Sequence, residues 1–468
     1  MAASKKIDAI CIVITVLALI LTILFMNGKA LGLQPYSDPD GSSDGRFSSS
    51  DLKKKADTQG ASTITLRGDS ADITGNGAYF ANGVLTIAYK GTYVLNGTLN
   101  GQIVVDADGD DKIWLVLDGL SVKCEDNAAL YVKNADKVFV NLVEGSSNSF
   151  ECGNAFSSSA LKDNIKGAIF SRDDLTLNGT GELTVTGGYA HGIVCKDSLK
   201  IAGGTINVTA RSDALHANDA VYIKDAGLTV KAGDDGITVS NDEGTGEFYM
   251  ASGTVDVSEV YEGIEAENIL VEGGELNISC KDDGFNATST ASGSGITVND
   301  GTISIINTGG RDADGMDSNR DICINGGTIF VSVPSDGNAL DCGSENGGKT
   351  VITGGSLIAC GGTMMAESPD ESTTQPTFMQ GIQGNEGDVI RLETSDGEEI
   401  LNKTVPNSFS AVTVSLPEFK QGLTYKLICG DQTKEITFTE TVMITDISDN
   451  PMGGGGPGGG GPAGGGHP

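Results

Sequence analysis

The sequence predicts an all-β chain: a right-handed parallel β-helix (a solenoid) with an N-terminal transmembrane or signal helix and a C-terminal β cap or small β domain. Three observations carry this. A small anchor residue recurs at Ala168, Gly192, Ala214, Gly236, Gly263, Gly284, Gly315 and Ala339, at spacings of 24, 22, 22, 27, 21, 31 and 24. Self-similarity at about 20–50 residues marks an array of stacked units. After each Gly-Gly-like turn, apolar residues alternate with polar ones: Leu183/Val185, Ile206/Val208, Leu228/Val230, Val255/Val257, Leu276/Ile278, Ile303/Ile305 and Ile329/Val331. That is period two with β-branched enrichment, which reads as strand. Gly supplies 67 of the 468 residues, against an average of about 7%. A coil with several corners per repeat uses that excess.

In chain order, residues 1–27 hold Ala9 to Met26, 18 uncharged and mostly apolar positions. As a helix they reach ~27 Å, enough for a bilayer core. Lys5 and Lys6 precede them, which sends the rest of the chain outward. An uncleaved anchor is expected, with a cleaved signal peptide as the alternative. Residues 28–60 are a polar linker. Residues 61–166 hold strand patterns such as Val84-Leu85-Thr86-Ile87 and Ile113-Trp114-Leu115-Val116-Leu117, the N-terminal cap and first coils, with Gly145 to Lys166 read as a Ser/Asn-rich loop. Residues 167–364 are the regular coils. A second apolar column follows their anchors: Ile169, Ile193, Leu215, Ile237, Ile264, Phe285, Met316 and Leu340. Residues 365–448 form a C-terminal β domain or cap. Residues 449–468 are a Gly/Pro tail expected to be disordered.

Net charge is −33. That argues against nucleic acid, which needs a basic footprint. Nine cysteines are scattered with no C-x-x-C pair, so zinc-type cysteine spacing is absent. Isolated thiols are expected.

The candidate chemistry flanks the anchors. Just before them stand His191, Asp213, Asp235, Glu262, Asp283, Asp314 and Asn338; slightly earlier come Asp234, Asp282, Asp312 and Asp336. Two residues after the anchors come His216, Glu265, Asn286, Asp317 and Asp341. Equivalent positions on neighbouring coils lie about 4.8 Å apart. Two carboxylates at that distance repel by ~0.9 kcal/mol in water and about 3.5 kcal/mol at an effective dielectric of 20. A cation midway would sit near the ~2.3–2.6 Å that Ca²⁺ prefers. Hard oxygen ligands favour Ca²⁺ over zinc or copper. The expected calcium ligands are Asp213, Asp234, Asp235, Glu262, Glu265, Asp282, Asp283, Asp312, Asp314, Asp317, Asp336 and Asp341. Asp-Gly pairs also form turns for purely conformational reasons, but recurrence at one phase favours the ions. Arg211, His216, Tyr261, Lys281 and Arg311 flank the acids and are the candidate carbohydrate contacts; as solvated charges, the basic ones would also balance the acids.

Gly343 to Thr350 matches the phosphate-loop pattern G-x-x-x-x-G-K-[ST]. That loop needs a following helix. Val351-Ile352-Thr353-Gly354-Gly355 reads as strand and turn, so no nucleotide is expected.

Several stretches resemble a bacterial family of extracellular carbohydrate-binding parallel β-helix proteins, related in shape to pectate lyases. They include Gly91-Thr92-Tyr93-Val94-Leu95-Asn96-Gly97-Thr98-Leu99, Leu115-Val116-Leu117-Asp118-Gly119, His191-Gly192-Ile193 and the Asp-Asp-Gly coils. The resemblance runs from about Thr63 to Gly362. It implies binding of cellulose or polygalacturonate, calcium in the acidic turns at Asp213, Asp235, Glu262, Asp283 and Asp314, and no catalysis. This chain departs from the Asp-Asp-Gly pattern at Ser212-Asp213-Ala214 and at Tyr261-Glu262. The expected protein sits on the outer face of the cell membrane, or is secreted, and binds calcium and polysaccharide. A calcium-dependent polysaccharide lyase and a structural scaffold or adhesin are the alternatives.

Overall fold

The computed structural model describes residues 45–241, 243–309, 313–364 and 366–447. Contacts divide the chain into residues 1–54 and 55–468, and the second unit carries all the described strands. These make a 23-stranded sheet, a 12-stranded sheet and a 4-stranded sheet. Among the described residues, helix is limited to Ser158–Lys162 and a 3₁₀ turn at Ser344–Asn346. None of it is long and apolar enough to cross a membrane. The apolar run at Ala9 to Met26 lies outside the described residues.

The chain is all-β, and its two large sheets are mostly parallel. The apolar column after the anchors is one ladder. Ile169, Ile193, Leu215, Ile237, Ile264, Phe285, Met316 and Leu340 pair in that order, each with its equivalent one repeat on. The strand column is a second ladder: Leu183, Ile206, Leu228, Val255, Leu276, Ile303 and Ile329. All of these side chains are buried. Burying each stabilises the fold by about 1.5–3 kcal/mol relative to exposure. Register is fixed because a one-residue slip would turn both columns outward.

Parallel stacking begins well before Ala168, with Ser62–Gly68 beside Gly91–Asn100 and Val84–Ile87 beside Gln102–Asp106. Two antiparallel pairs adjoin this start, Ser62–Gly68 with Ala71–Thr74 and Ala78–Ala81 with Val84–Ile87. The segment read as a loop from Gly145 to Lys166 contains a strand, Ser147–Cys152, and the short helix. The strand escaped notice because one inward position is Asn148 rather than an apolar residue. Its amide oxygen accepts from the backbone N–H of Gly119 and Leu120, at 3.1 and 2.9 Å. Its NH₂ donates to the Glu182 carbonyl at 3.0 Å.

At the other end, Phe409–Ser415 runs antiparallel to both Ser356–Gly361 and Thr377–Gly384. The last parallel coil is therefore paired rather than left as an open edge. Beyond it, Val389–Thr394, Glu399–Thr404, Thr424–Cys429 and Gln432–Thr437 form the four-stranded antiparallel sheet. An aromatic cluster packs against it: Phe419 neighbours Phe378, Tyr425 and Phe438, with ring centroids as close as 4.9 Å.

Candidate functional site

The site is built by the shortest strands. Leu215–Ala217, Ile237–Val239, Ile264–Ala266, Phe285–Ala287, Met316–Ser318 and Leu340–Cys342 each span three residues. Their end residues point inward, so the middle ones form an outer ladder: His216, Thr238, Glu265, Asn286, Asp317 and Asp341. The residues before the anchors form a second ladder on the same edge. Each lends its backbone carbonyl to the anchor N–H of the preceding coil. Gly192 bonds Asp213 at 3.1 Å, Ala214 bonds Asp235 at 3.0 Å and Gly236 bonds Glu262 at 2.9 Å. Gly263, Gly284 and Gly315 repeat this with Asp283, Asp314 and Asn338.

Close stacking explains the anchors. A Cβ on Gly284 would lie 2.3 Å from Ile305 Cγ2 and 2.5 Å from the Gly315 carbonyl oxygen.

The carboxylates have two roles. Asp235 Oδ1 accepts from the Glu262 N–H at 3.1 Å, Asp283 Oδ1 from Asp314 at 2.8 Å and Asp314 Oδ1 from Asn338 at 2.6 Å. The conformational role of these acids is thus real: each ties its turn to the next coil. The remaining oxygens crowd together. Carboxylate oxygens of Asp235, Glu262 and Glu265 all lie within 4.8 Å of one another, as do those of Asp213, Asp234 and Asp235. Among the described residues, no Lys or Arg forms an ion pair with Asp235, Glu262, Glu265, Asp283, Asp314, Asp317 or Asp341.

The electrostatic consequence is large. Burial, with Asp235 and Glu265 beside it, pushes the Glu262 carboxyl up to about 9. Burial and the charges of Asp213, Asp234 and Glu265 raise Asp235 to about 7. Burial, with Asp317 and Asp314 close by, takes Asp283 to about 8. Asp314 rises to about 7 through burial and Asp341, and Asp317 to about 6 for the same reasons. Burial also raises Glu265 and Asp341. Asp213 is the exception. Burial pulls it upward, but the His191 and His216 imidazoles outweigh that and hold it below the usual carboxylate range.

Half of the unsatisfied buried atoms lie on the same edge. Six buried side-chain nitrogen or oxygen atoms lack a hydrogen-bond partner among the described residues. Three of them, His191 Nδ1, Thr238 Oγ1 and Asn338 Oδ1, belong to the two ladders. Such atoms are costly unless a ligand or water reaches them.

The other predicted residues fall as follows. Asp282 stands by the Tyr261 hydroxyl, and their hydrogen bond raises the phenol. Asp336 is exposed on the turn after Val333, outside the converging groups. Arg211 and Lys281 are exposed, and Tyr261 is 48% exposed. His216 is turned onto Asp213, at 2.9 Å. Arg311 and Asp312 lie outside the described residues. Two aromatics of the coils, Phe248 and Tyr249, are buried and offer no face to a sugar.

Glu367 is an addition. It accepts from the Cys342 N–H at 2.8 Å, and its charge adds to the burial that raises Asp317 and Asp341. No repeat pattern announces it. The phosphate-loop-like segment continues into strand Thr350–Ile352, not helix.

Known proteins resemble this one. The family profile described as carbohydrate-binding domain-containing protein matches residues 81–356 and 247–389. A protein of that description from Acetivibrio thermocellus is 39% identical over 126 residues, which cover 26% of this chain and 44% of that one. The chain thus spans less than half the length of the curated relative it matches. A solved structure of a polysaccharide lyase-like protein from C. thermocellum, a gadolinium derivative, is similar at 26% identity and a TM-score of 0.43. That similarity covers 63% of this chain and 99% of the other.

Proposed function

The chain belongs to the family of carbohydrate-binding domain-containing proteins, and from that premise we propose a calcium-loaded polysaccharide receptor that works by binding and not by catalysis. In this reading the stacked coils wind as a right-handed parallel β-helix. The chain is carried on the outer face of the cell, or secreted. Its ligand is an acidic or neutral polysaccharide of the polygalacturonate or cellulose type.

One observation carries the proposal. Asp235, Glu262 and Glu265 converge on one edge, and among the described residues no Lys or Arg is paired to them. The donor set fits calcium, being all hard oxygens. Ca²⁺ takes about 6–8 oxygens, more than three carboxylates supply. Water and a sugar carboxylate or hydroxyl would complete the shell, so one ion would bridge protein and glycan. Lower on the edge, Asp283, Asp314, Asp317 and Asp341 continue the row of buried and half-buried acids, and repeated contacts along a polymer would give avidity.

The test uses the full chain stripped with chelator. Calorimetric titration with Ca²⁺ comes first, then polygalacturonate and cellulose with and without the ion. Saturable calcium binding, and glycan binding that needs it, is the expected result. Glycan retention unaffected by chelator would overturn the bridging mechanism. Unsaturated uronate product accumulating with calcium present would overturn the claim of binding without turnover.

A further inference from the structure

The chain has three histidines. Two of them, His191 and His216, stand at the N-terminal end of the acid ladders, on neighbouring coils. Both turn Nδ1 to the same atom, Asp213 Oδ2, at 3.1 and 2.9 Å. Their rings lie 5.0 Å apart, tilted by 36°. The three side chains offer ligand atoms that all lie within 4.8 Å of one another.

We propose that His191, Asp213 and His216 bind a borderline-soft divalent transition ion of the zinc class, at a site that shares Asp213 with the Asp213, Asp234 and Asp235 group and is distinct from the Asp235, Glu262 and Glu265 group. The donor set is the first reason. Two imidazoles and one carboxylate suit zinc and its neighbours, while calcium takes oxygen.

The second reason is the placing of the nitrogens. Both imidazole Nδ1 atoms close on Asp213 Oδ2, and His191 Nδ1 is buried there without a well-formed hydrogen bond.

Dimensions are the third reason. A tetrahedral ion with ligands at about 2.0–2.2 Å holds them roughly 3.3–3.6 Å from each other. Spreading the present 2.9 and 3.1 Å separations to that range takes a few tenths of an ångström. The backbone is fixed meanwhile. The Ser212 N–H bonds the Ala190 carbonyl at 2.8 Å, and the Gly192 N–H bonds that of Asp213 at 3.1 Å. On the preceding coil the register partner of His216 is Val194, which is buried and offers no ligand atom. Three protein ligands leave a fourth position for water or a sugar oxygen.

The site shares no ligand with the Asp235, Glu262 and Glu265 group that carries the calcium reading. The experiment uses the full chain carrying His467→Ala, which removes the third histidine. The protein is stripped, then held in millimolar Ca²⁺ so that the oxygen sites are occupied. Zn²⁺ is titrated calorimetrically, and Co²⁺ serves as a visible-absorption probe. One Zn²⁺ per chain is expected, with intense four-coordinate cobalt bands. His191→Ala and His216→Ala should each weaken Zn²⁺ by more than ~10-fold while calcium uptake persists. Equal Zn²⁺ binding in both variants would overturn the proposal, as would absence of zinc uptake by the parent. If either variant unfolds, the parent's cobalt spectrum decides. Weak six-coordinate bands, or thiolate-to-cobalt charge transfer, would reject the site.

Discussion

Asp213 and Glu262 occupy the same position on two coils, yet their chemistry is opposite. Both sit before a small anchor, and both lend a carbonyl to the preceding coil. Asp213 is held below the usual carboxylate range, while Glu262 is pushed up to about 9. Burial acts upward on both, so burial does not distinguish them. The neighbours do: two imidazoles face Asp213, whereas Asp235 and Glu265 face Glu262. The backbone supplies a uniform row of sockets, and side chains one rung away decide what each socket holds.

The largest expected effect follows from the acid-only rungs. Folded Asp235, Asp283, Asp314 and Glu262 keep their protons to about 7, 8, 7 and 9. In the unfolded chain carboxyls lose theirs near pH 4. The folded state therefore binds more protons between those limits, and stability falls as pH rises through them. Chelated protein should lose thermal stability steadily from about pH 5 to pH 9, and calcium should remove most of that slope. Asp213 contributes oppositely: its stabilisation is complete above the ordinary carboxyl range and fades only in strong acid. A Tm independent of pH in chelator would erase the contrast between the two ends.

Next comes the anchor beneath each acid. Gly284→Ala sets a methyl 2.5 Å from the Gly315 carbonyl oxygen, and should destabilise by about 1–3 kcal/mol in urea unfolding. Ala214, under the histidine end, already carries that methyl in a buried position. Ala214→Gly should cost no more than about 1 kcal/mol. Equal losses would mean that the two rungs are packed alike.

A pair of isosteric changes that each remove an ionisable carboxyl sharpens the comparison further. In chelator at pH 8, Asp213→Asn should destabilise by about 1.5 kcal/mol, because it removes the charge facing two imidazoles. Glu262→Gln should leave stability unchanged or raise it slightly, since Glu262 is already largely neutral at pH 8 and Asp235 and Glu265 oppose its residual charge. With calcium added, the sign for Glu262→Gln should reverse relative to the parent. Chemical denaturation of both variants in both conditions reads this directly.

Both ladders were legible in the sequence, because inward positions such as Ile206 and Ile264 repeat with period two beside a fixed anchor. The acid ladder was legible for the same reason: Asp235, Glu262 and Asp283 share one phase. What escaped depends on register or on breaks in the pattern. The convergence of His191 with His216 needs two coils superposed. Glu367 comes from the segment after the last regular coil, where no repeat phase exists. The strand Ser147–Cys152 hid behind Asn148. The shared duty of Asp314, one oxygen bonded to a backbone N–H, could not be separated from a ligand role by spacing alone.

The smallest effect on stability separates ion from ring in glycan recognition. Tyr261 is half exposed on the rung of Glu262, where the coil at the histidine end has Ser212. Nothing in the core depends on its ring, so Tyr261→Ser should shift stability by no more than about 0.5 kcal/mol. If a sugar stacks on that ring, polygalacturonate affinity should fall by about threefold to tenfold while calcium affinity stays put. If affinity is unchanged in Tyr261→Ser but lost in Glu262→Gln, recognition runs through the ion alone. The acid rungs would then differ from the histidine end in charge and in nothing that the glycan reads.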